Sequence, residues 1–497
     1  LAVLSGVLTA LAFPKFNLLF LGWVCLIPLL YLIRDKKPGQ SFLLGLIAGT
    51  SFYAILIYWI PSVPAHYGNL SFGFSLIIYF LLILYLALYW ALFSYFASKI
   101  RPIAGKFFFI LIPFLWIAFE YLITHLFTGF PWGLIGYSQQ KNLFLIQAAS
   151  LTGVYGVSFI LVFLQSLFLQ SMTRKKKGPF FIALVVVILI HLGGSLSIPK
   201  SGSSEKTIKT AVLQGNISSD IYWNRVSEQF IRNLFFRHID LTQKAYEKGA
   251  QLIVWPEFSV PLCFSCTFPL YQEFKQMLFD YVERTNTTLV IGTNETTVSE
   301  EGSQYFNTAM TLKPDLTTSQ YYKMHLVPFG EYTPYKNIFS FIQKMTHAIG
   351  DISPGKEYHL HDYKGAAFGS PICYEIVFPN LVRKFAKKGA HFLITITNDG
   401  WYGNSAAPYQ HFSMAVFRAV ENRRFLLRAA TTGVSGIVDP FGRVIKRSKM
   451  ETKTFLTADI VPVEKLTLYS RWGDIFPFLC LTLTGLFFIL ALLKRKQ

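Results

Sequence analysis

Charge is scarce in this chain of 497 residues, and negative charge is the scarcer sign. Only 15% of residues are charged, with 27 Asp and Glu against 46 Lys and Arg. That is not the composition of a soluble protein. Cysteine is also rare. Five residues, Cys25, Cys263, Cys266, Cys373 and Cys480, are too few for a disulfide scaffold. Cys263 and Cys266 make a single CxxC with no second pair and no His at zinc spacing, which argues against a metal site. A local disulfide and two free thiols are equally defensible there. His325, His359, His361 and His411 show no ligand spacing and read as ordinary residues. The chain has no internal repeat, no low-complexity tract and no nucleic-acid module. The formal charge of +19 therefore needs an explanation other than nucleic acid.

Apolar residues are what the chain has in quantity: 52% are hydrophobic and 17% aromatic, with a mean hydropathy of +0.40. They gather into eight candidate spans at 1–13, 18–33, 42–60, 72–97, 107–125, 149–172, 180–198 and 475–493. Most approach the roughly 20 residues that a bilayer crossing needs, and the first is short. Basic residues cluster in alternate loops. Arg34, Lys36 and Lys37 follow the second span, and Lys99, Arg101 and Lys106 the fourth. Arg174 to Lys177 follow the sixth, and Lys494 to Lys496 the eighth. The intervening loops hold little beyond Lys15 and Lys141. By the positive-inside rule the basic loops and both termini are cytoplasmic, and the long segment before the last span is outside the cytoplasm.

The expected organisation is spans one to seven in 1–200, an extracytoplasmic domain in 201–469, and the last span with a basic tail in 470–497. The middle segment alternates strand-like runs (TIKTAVLQGN, LIVWPE, TTLVIGTNE, YFNTAMTLKP, SQYYKMHLV) with helical patterns at 226–250 and 269–285. HFLITITNDGWYG reads as a strand, 409–428 as one longer helix, and SGIVDPFGRVI as a hairpin turning at 439–442. TFLTADIV closes the domain. Interleaved strands and helices predict a layered α/β domain.

Three strand-like runs end on residues with chemistry. Cys373 lies where FGSPICYEIVFPN turns from strand to a basic amphipathic helix, a place from which a sulfur can be aimed into a cleft. A lone cysteine is usually a buried structural one. Two further stretches reverse that reading, since LIVWPEFSVP ends on Glu257 and YYKMHLVPFGEYTP carries Lys323 and Glu331. A carboxylate can take the thiol proton, and an ammonium can lower the thiol pKa and hold an oxyanion. The backbone N–H of Tyr374 is the natural second oxyanion donor. Within the apolar spans, Glu120 is a functional candidate because an intramembrane carboxylate is costly to keep.

The segments WPEFSVP, YYKMHLVPFGEYTP and ICYEIVFP resemble the Glu-Lys-Cys triad regions of the nitrilase superfamily, and in particular its membrane branch, the apolipoprotein N-acyltransferases. GFPW and GYSQ in the apolar half are similar to the same branch. The resemblance implies an αββα sandwich joined to a polytopic helical membrane domain. It implies Glu257, Lys323 and Cys373 as catalytic residues, supported by Glu331 and Glu375. Trp223 and Asn307 match positions that the resemblance associates with substrate binding, and Trp401 is placed with them. The implied reaction moves an acyl chain from the sn-1 ester of a membrane phospholipid, through a cysteine thioester, to the N-terminal amine of a diacylglyceryl-cysteine apolipoprotein. It requires no metal and no organic cofactor. The apolar loop 258–268, just after Glu257, is expected to contact lipid or acyl chains. The rival readings are a membrane-tethered amidase with the same triad and a non-enzymatic lipoprotein-binding scaffold.

Overall fold

The structure is a computed structural model that describes residues 1–68, 70–199, 207–217, 227–259, 263–299, 302–334 and 352–494. Two units are built from interleaved pieces of chain. Leu1–Pro61, Ser71–Lys200 and Thr467–Gln497 form one, and Ser62–Leu70 with Ser201–Leu466 forms the other.

The first unit is helical. Pro38–Leu56, Phe72–Ala104, Phe108–His125, Val154–Arg174 and Gly178–Ser197 are long and apolar enough to cross a membrane; the apolar stretches Ala2–Ala12, Leu19–Ile33 and Ile475–Leu490 are shorter. Helices satisfy their own backbone polar groups, which hydrocarbon cannot do for them. Phe72–Ala104 runs past the expected end at 97, so Lys99 and Arg101 lie on its last turns. Close packing between helices relies on small residues. A Cβ at Gly45 would collide with the Trp90 carbonyl and the Ser94 hydroxyl, so Pro38–Leu56 can approach Phe72–Ala104 only through glycine there. Two buried polar side chains accept hydrogen bonds from other parts of the unit. Gln165 Oε1 accepts from the Leu26 N–H at 2.7 Å. Glu120 Oε1 accepts from Trp116 Nε1 at 3.0 Å and from the Ile135 N–H at 2.8 Å.

The second unit holds two six-stranded sheets. The first contains β1 (Ile208–Gln214), β2 (Leu252–Val254), β3 (Thr288–Ser299), β4 (Gly302–Leu312) and β5 (Thr318–Tyr322). The second contains β6 (Leu360–Tyr363), β7 (Ala366–Gly369), β8 (Phe392–Thr397), β9 (Leu426–Ala430), β10 (Gly436–Val438) and β11 (Val444–Arg447). β12 (Thr454–Ile460) returns to the edge of the first sheet, antiparallel to β1 with Ile208 opposite Ile460. The strand orders are β12-β1-β2-β3-β4-β5 and β11-β10-β9-β8-β7-β6. Each sheet is parallel through its middle, β1-β2-β3 in one and β7-β8-β9 in the other. The central strands β2 and β8 are buried at every residue, as parallel strands covered on both faces must be.

Helices Glu228–Glu247 and Pro269–Thr285 make the crossovers of the first sheet. They bury Phe235, Leu241, Phe274 and Leu278 against Ile253, Trp255, Leu289 and Met310. Pro379–Lys387 and Ala407–Asn422 do the same for the second. The sheets meet through Gln214, whose Oε1 accepts from the hydroxyls of Ser435 and Ser448 at 2.7 Å each. The expected αββα layering is present. The expected helix 409–428 is shorter: Arg423, at a φ of 52°, ends it. Leu426–Ala430, LLRAA, is instead a fully buried strand, a stretch too short for local pattern to separate from helix.

Candidate active site

Four strand ends deliver the site. Parallel strands aim their C-terminal ends at one edge, where α/β proteins place their chemistry. β2 stops at Val254, and Glu257 follows, 2% exposed. Its backbone sits against Gly292 of β3, where a Cβ would collide with the Pro256 carbonyl and the Glu257 Cα. β5 stops at Tyr322 and Lys323 follows, 1% exposed. β7 stops at Gly369, Ile372 bridges to Ile396 of β8, and Cys373 follows with a φ of 49°. That left-handed backbone is costly for a residue with a Cβ, and such strain gathers at functional sites. A short 3₁₀ turn, Cys373–Val377, separates the cysteine from its helix. β8 ends at Thr397 and hands on to Asn398 and Asp399.

The structure brings Glu257, Lys323, Cys373 and Glu331 together. Lys323 Nζ donates to Glu331 Oε1 at 2.7 Å and lies 3.7 Å from Glu257 Oε1. Asn307 Nδ2 donates to Glu257 Oε1 at 2.7 Å and to Glu331 Oε1 at 3.2 Å. The other oxygens are fixed by backbone. The Asn398 N–H donates to Glu257 Oε2 at 2.7 Å, and the Val327 N–H to Glu331 Oε2 at 2.8 Å. The Cys373 thiol is close enough to Glu257 and Lys323 to feel both charges. Two carboxylates thus share one ammonium, with an amide between them. Asn307 is fully buried, and its Nδ2 holds the two carboxylates in register.

Burial dominates the electrostatics. It raises the Glu257 carboxyl above its ordinary range, with Lys323 pulling the other way. Burial also opposes the charge on Lys323, but Glu331 and Glu257 outweigh it and hold the lysine above its usual value. The Cys373 thiol is pushed up by burial and then by Glu257, and Lys323 only partly offsets them. Lys323 lowers the thiol pKa as expected, but burial and Glu257 outweigh it. The resting cysteine is therefore a thiol.

Glu375 is a bracket. Its Oε1 accepts from Tyr321 Oη at 2.8 Å and from the N–H groups of Met324 and His325 at 2.7 and 3.0 Å, while Oε2 accepts from the Ile372 N–H at 2.7 Å. One carboxylate therefore ties the turn after Lys323 to the turn before Cys373. Tyr374 is buried on that turn, its ring 5.2 Å from Phe378. Trp401 meets Tyr67 edge to face at 4.8 Å, and Tyr67 Oη donates to the Gly400 carbonyl at 3.2 Å. Trp223 lies outside the described residues, as do 260–262 of the apolar loop. The rest of that loop divides. Phe264 is in the core, its N–H held by Glu295 at 2.8 Å, whereas Phe268 is 66% exposed. Cys263 and Cys266 are joined in a disulfide.

A second buried group escapes sequence reading. His411 Nε2 lies 3.1 Å from the Cys373 carbonyl oxygen, and Nδ1 lies 2.9 Å from Asp399 Oδ1 and 3.0 Å from Arg428 Nη2. Arg428 Nη2 also donates to Asp399 Oδ2 at 2.9 Å. A carbonyl only accepts, so Nε2 carries the proton. Burial, then Arg428, holds the imidazole below its ordinary pKa. Burial opposes the charge on Asp399, yet Arg428 and His411 bring its pKa down to about 2. The signal that could have found this group is His411 itself, a lone polar ring on the apolar face of 407–422. Among the described residues no group of three or more His, Cys, Asp or Glu is placed to hold a metal ion.

Comparison with known proteins covers both units. A family model for the apolipoprotein N-acyltransferase N-terminal domain matches residues 5–167, and one for carbon-nitrogen hydrolases matches residues 209–464. The apolipoprotein N-acyltransferase of Geobacter metallireducens is 34% identical over 509 residues, covering 100% of this chain and 95% of its own. That of Haemophilus influenzae is 30% identical over 518 residues, with 100% and 95% covered. That of Chlorobaculum tepidum is 28% identical over 531 residues, with 100% and 97% covered. With both units matched in place and the likeness running the length of the chain, this protein belongs to the apolipoprotein N-acyltransferase family.

Proposed function

We propose that this protein transfers an acyl chain from the sn-1 ester of a membrane phospholipid to the N-terminal amine of a diacylglyceryl-cysteine apolipoprotein, by way of a thioester on Cys373. The observation that carries the reading is the buried set in which Lys323 lies 3.7 Å from Glu257 and Cys373 feels the charge of both. In the first half-reaction Glu257 takes the thiol proton as the sulfur attacks the ester carbonyl carbon. Lys323 and the Tyr374 N–H hold the oxyanion. Its collapse breaks the ester C–O bond, and Glu257 returns the proton to the departing lysophospholipid. In the second half-reaction the lipoprotein amine attacks the thioester and gives its proton to Glu257. The thiolate leaves and recovers that proton. Glu331 and Asn307 hold Lys323 and Glu257 in place, Glu375 braces the turn, and Trp223 and Trp401 meet substrate.

In this reading eight spans cross the cytoplasmic membrane, both termini are cytoplasmic, and the α/β unit works on the outer side. The basic loops support the orientation, and the Cys263–Cys266 disulfide fits an oxidising compartment. The test is transfer itself. Purified protein, phospholipid vesicles and a diacylated lipopeptide with a free N-terminus should give a peptide heavier by one acyl chain and one lysophospholipid per product. Ammonia release from simple amides with no acylated peptide would favour an amidase. No turnover of either substrate would favour a scaffold.

A further inference from the structure

The helical unit contains a cavity of about 1370 Å³ that the acyl-transfer chemistry does not use. Six cations line it: Arg34, Lys36 and Lys37 from one turn, Lys99 and Arg101 from the end of Phe72–Ala104, and Arg174 from the end of Val154–Arg174. Among its described lining residues Asp35 is the only acid. The remaining wall is largely apolar, with Phe108, Phe109 and Phe488. Orientation of a membrane protein asks only that basic residues occupy the loops on one side. It does not ask that three separate segments turn their cations into one space with an aromatic wall.

Asp35 shows what that space recognises. Its Oδ2 accepts from Arg34 Nε at 2.8 Å, and Arg34 Nη2 lies 2.6 Å away. Its Oδ1 accepts from Arg101 Nη1 at 2.6 Å. Two guanidiniums from different elements therefore converge on one small oxyanion, each taking a different oxygen. Planar guanidinium groups suit carboxylate and phosphate oxygens alike. The clamp is reachable, because the Arg34, Arg101 and Asp35 side chains are 25%, 35% and 57% exposed. Arg174 lies over the Phe109 ring at 5.9 Å, which joins the cationic and apolar parts of the wall.

We propose that this cavity binds the phosphate of an anionic phospholipid headgroup. Arg34 and Arg101 take the phosphate oxygens in competition with Asp35, Lys36, Lys37 and Lys99 supply further positive charge, and the phenylalanines meet the upper acyl carbons. Basic pockets between membrane helices are suited to such headgroups. The ligand chemistry is a phosphate, and a lipid is its source.

Native mass spectrometry of the full-length protein in neutral detergent tests this, with dioctanoyl phosphatidylglycerol, dioctanoyl phosphatidylcholine and inorganic phosphate as probes. The expected result is one phosphatidylglycerol retained well above phosphatidylcholine. Each basic contact is worth about fivefold, so the double variant Arg34→Gln with Arg101→Gln should lose about 25-fold of that preference. Asp35→Asn should raise phosphatidylglycerol affinity several-fold, a gain that misfolding cannot imitate. Equal retention of the two lipids by wild type, or no response to Asp35→Asn, would overturn the site. Displacement by inorganic phosphate at equal concentration would overturn the lipid as its source.

Discussion

His411 donates a hydrogen bond from Nε2 to the carbonyl oxygen of Cys373 at 3.1 Å, from a helix 38 residues away in sequence. Cys373 sits in the left-handed region, with a φ of 49°. A side chain does not hold that conformation unaided. The imidazole, whose Nδ1 accepts from the Arg428 guanidinium that Asp399 holds, pins the peptide that sets where the sulfur points. His411 does not touch a reacting atom and acts as a positioning residue.

His411→Ala should therefore lower kcat of acyl transfer by roughly 10²-fold, the scale of a misplaced reacting group, while KM for phospholipid changes little. A residue that only filled space would lower stability without that split. Steady-state kinetics at several phospholipid concentrations measure it, and an unchanged kcat would remove His411 from the account.

Glu257→Gln and Lys323→Met should each cut turnover by about 10²-fold or more, the size of losing a general base or an oxyanion donor. Glu257→Gln should fold as well as wild type. Its carboxyl is raised by burial, so the folded state binds that proton more tightly than the unfolded chain does. The stability from that preference is full below the ordinary carboxylate pKa and is lost as pH rises through the raised value. A neutral amide at pH 7 avoids the loss. Thermal melting in detergent checks the folding, and lysophospholipid release checks the rate.

The same raised carboxyl sets the pH profile of the first half-reaction. A base with a raised pKa is protonated earlier as pH falls. The single-turnover rate should therefore drop through an acid limb above the ordinary glutamate value of about 4.3. Lys323 is held above its usual range by Glu331 and Glu257, so it should add no alkaline limb below about 10.4. An acid limb at or below 4.3 would mean that another group takes the proton.

Much of this site is legible in the sequence because each member stands at a strand end with its own local wording. Glu257 follows LIVWP, Lys323 follows SQYY, and Cys373 follows an apolar run and precedes a helix. The layered α/β arrangement is legible for the same reason, since period and turn residues are local. What pattern cannot supply is the partner that arrives from elsewhere. Asn398 reaches Glu257 across 141 residues and Asp399 meets Arg428 across 29. No periodicity announces such contacts. Leu426–Ala430 reads as more helix until Arg423 turns the chain. Asn307 matches a position that the resemblance links to substrate, and its Nδ2 also meets the two carboxylates, a contact no pattern announces.

The most direct test is the acyl adduct. Incubating the protein with phospholipid alone, digesting it and mapping the modified peptide by mass spectrometry should find one hydroxylamine-sensitive acyl group on Cys373. One lysophospholipid should appear per active site, with no further turnover until a diacylated lipopeptide with a free amine discharges the adduct. Cys373→Ala should carry no adduct. An acyl group on Cys25 or Cys480, or acylated lipopeptide formed at the normal rate by Cys373→Ala, would contradict the thioester at Cys373 and the function built on it.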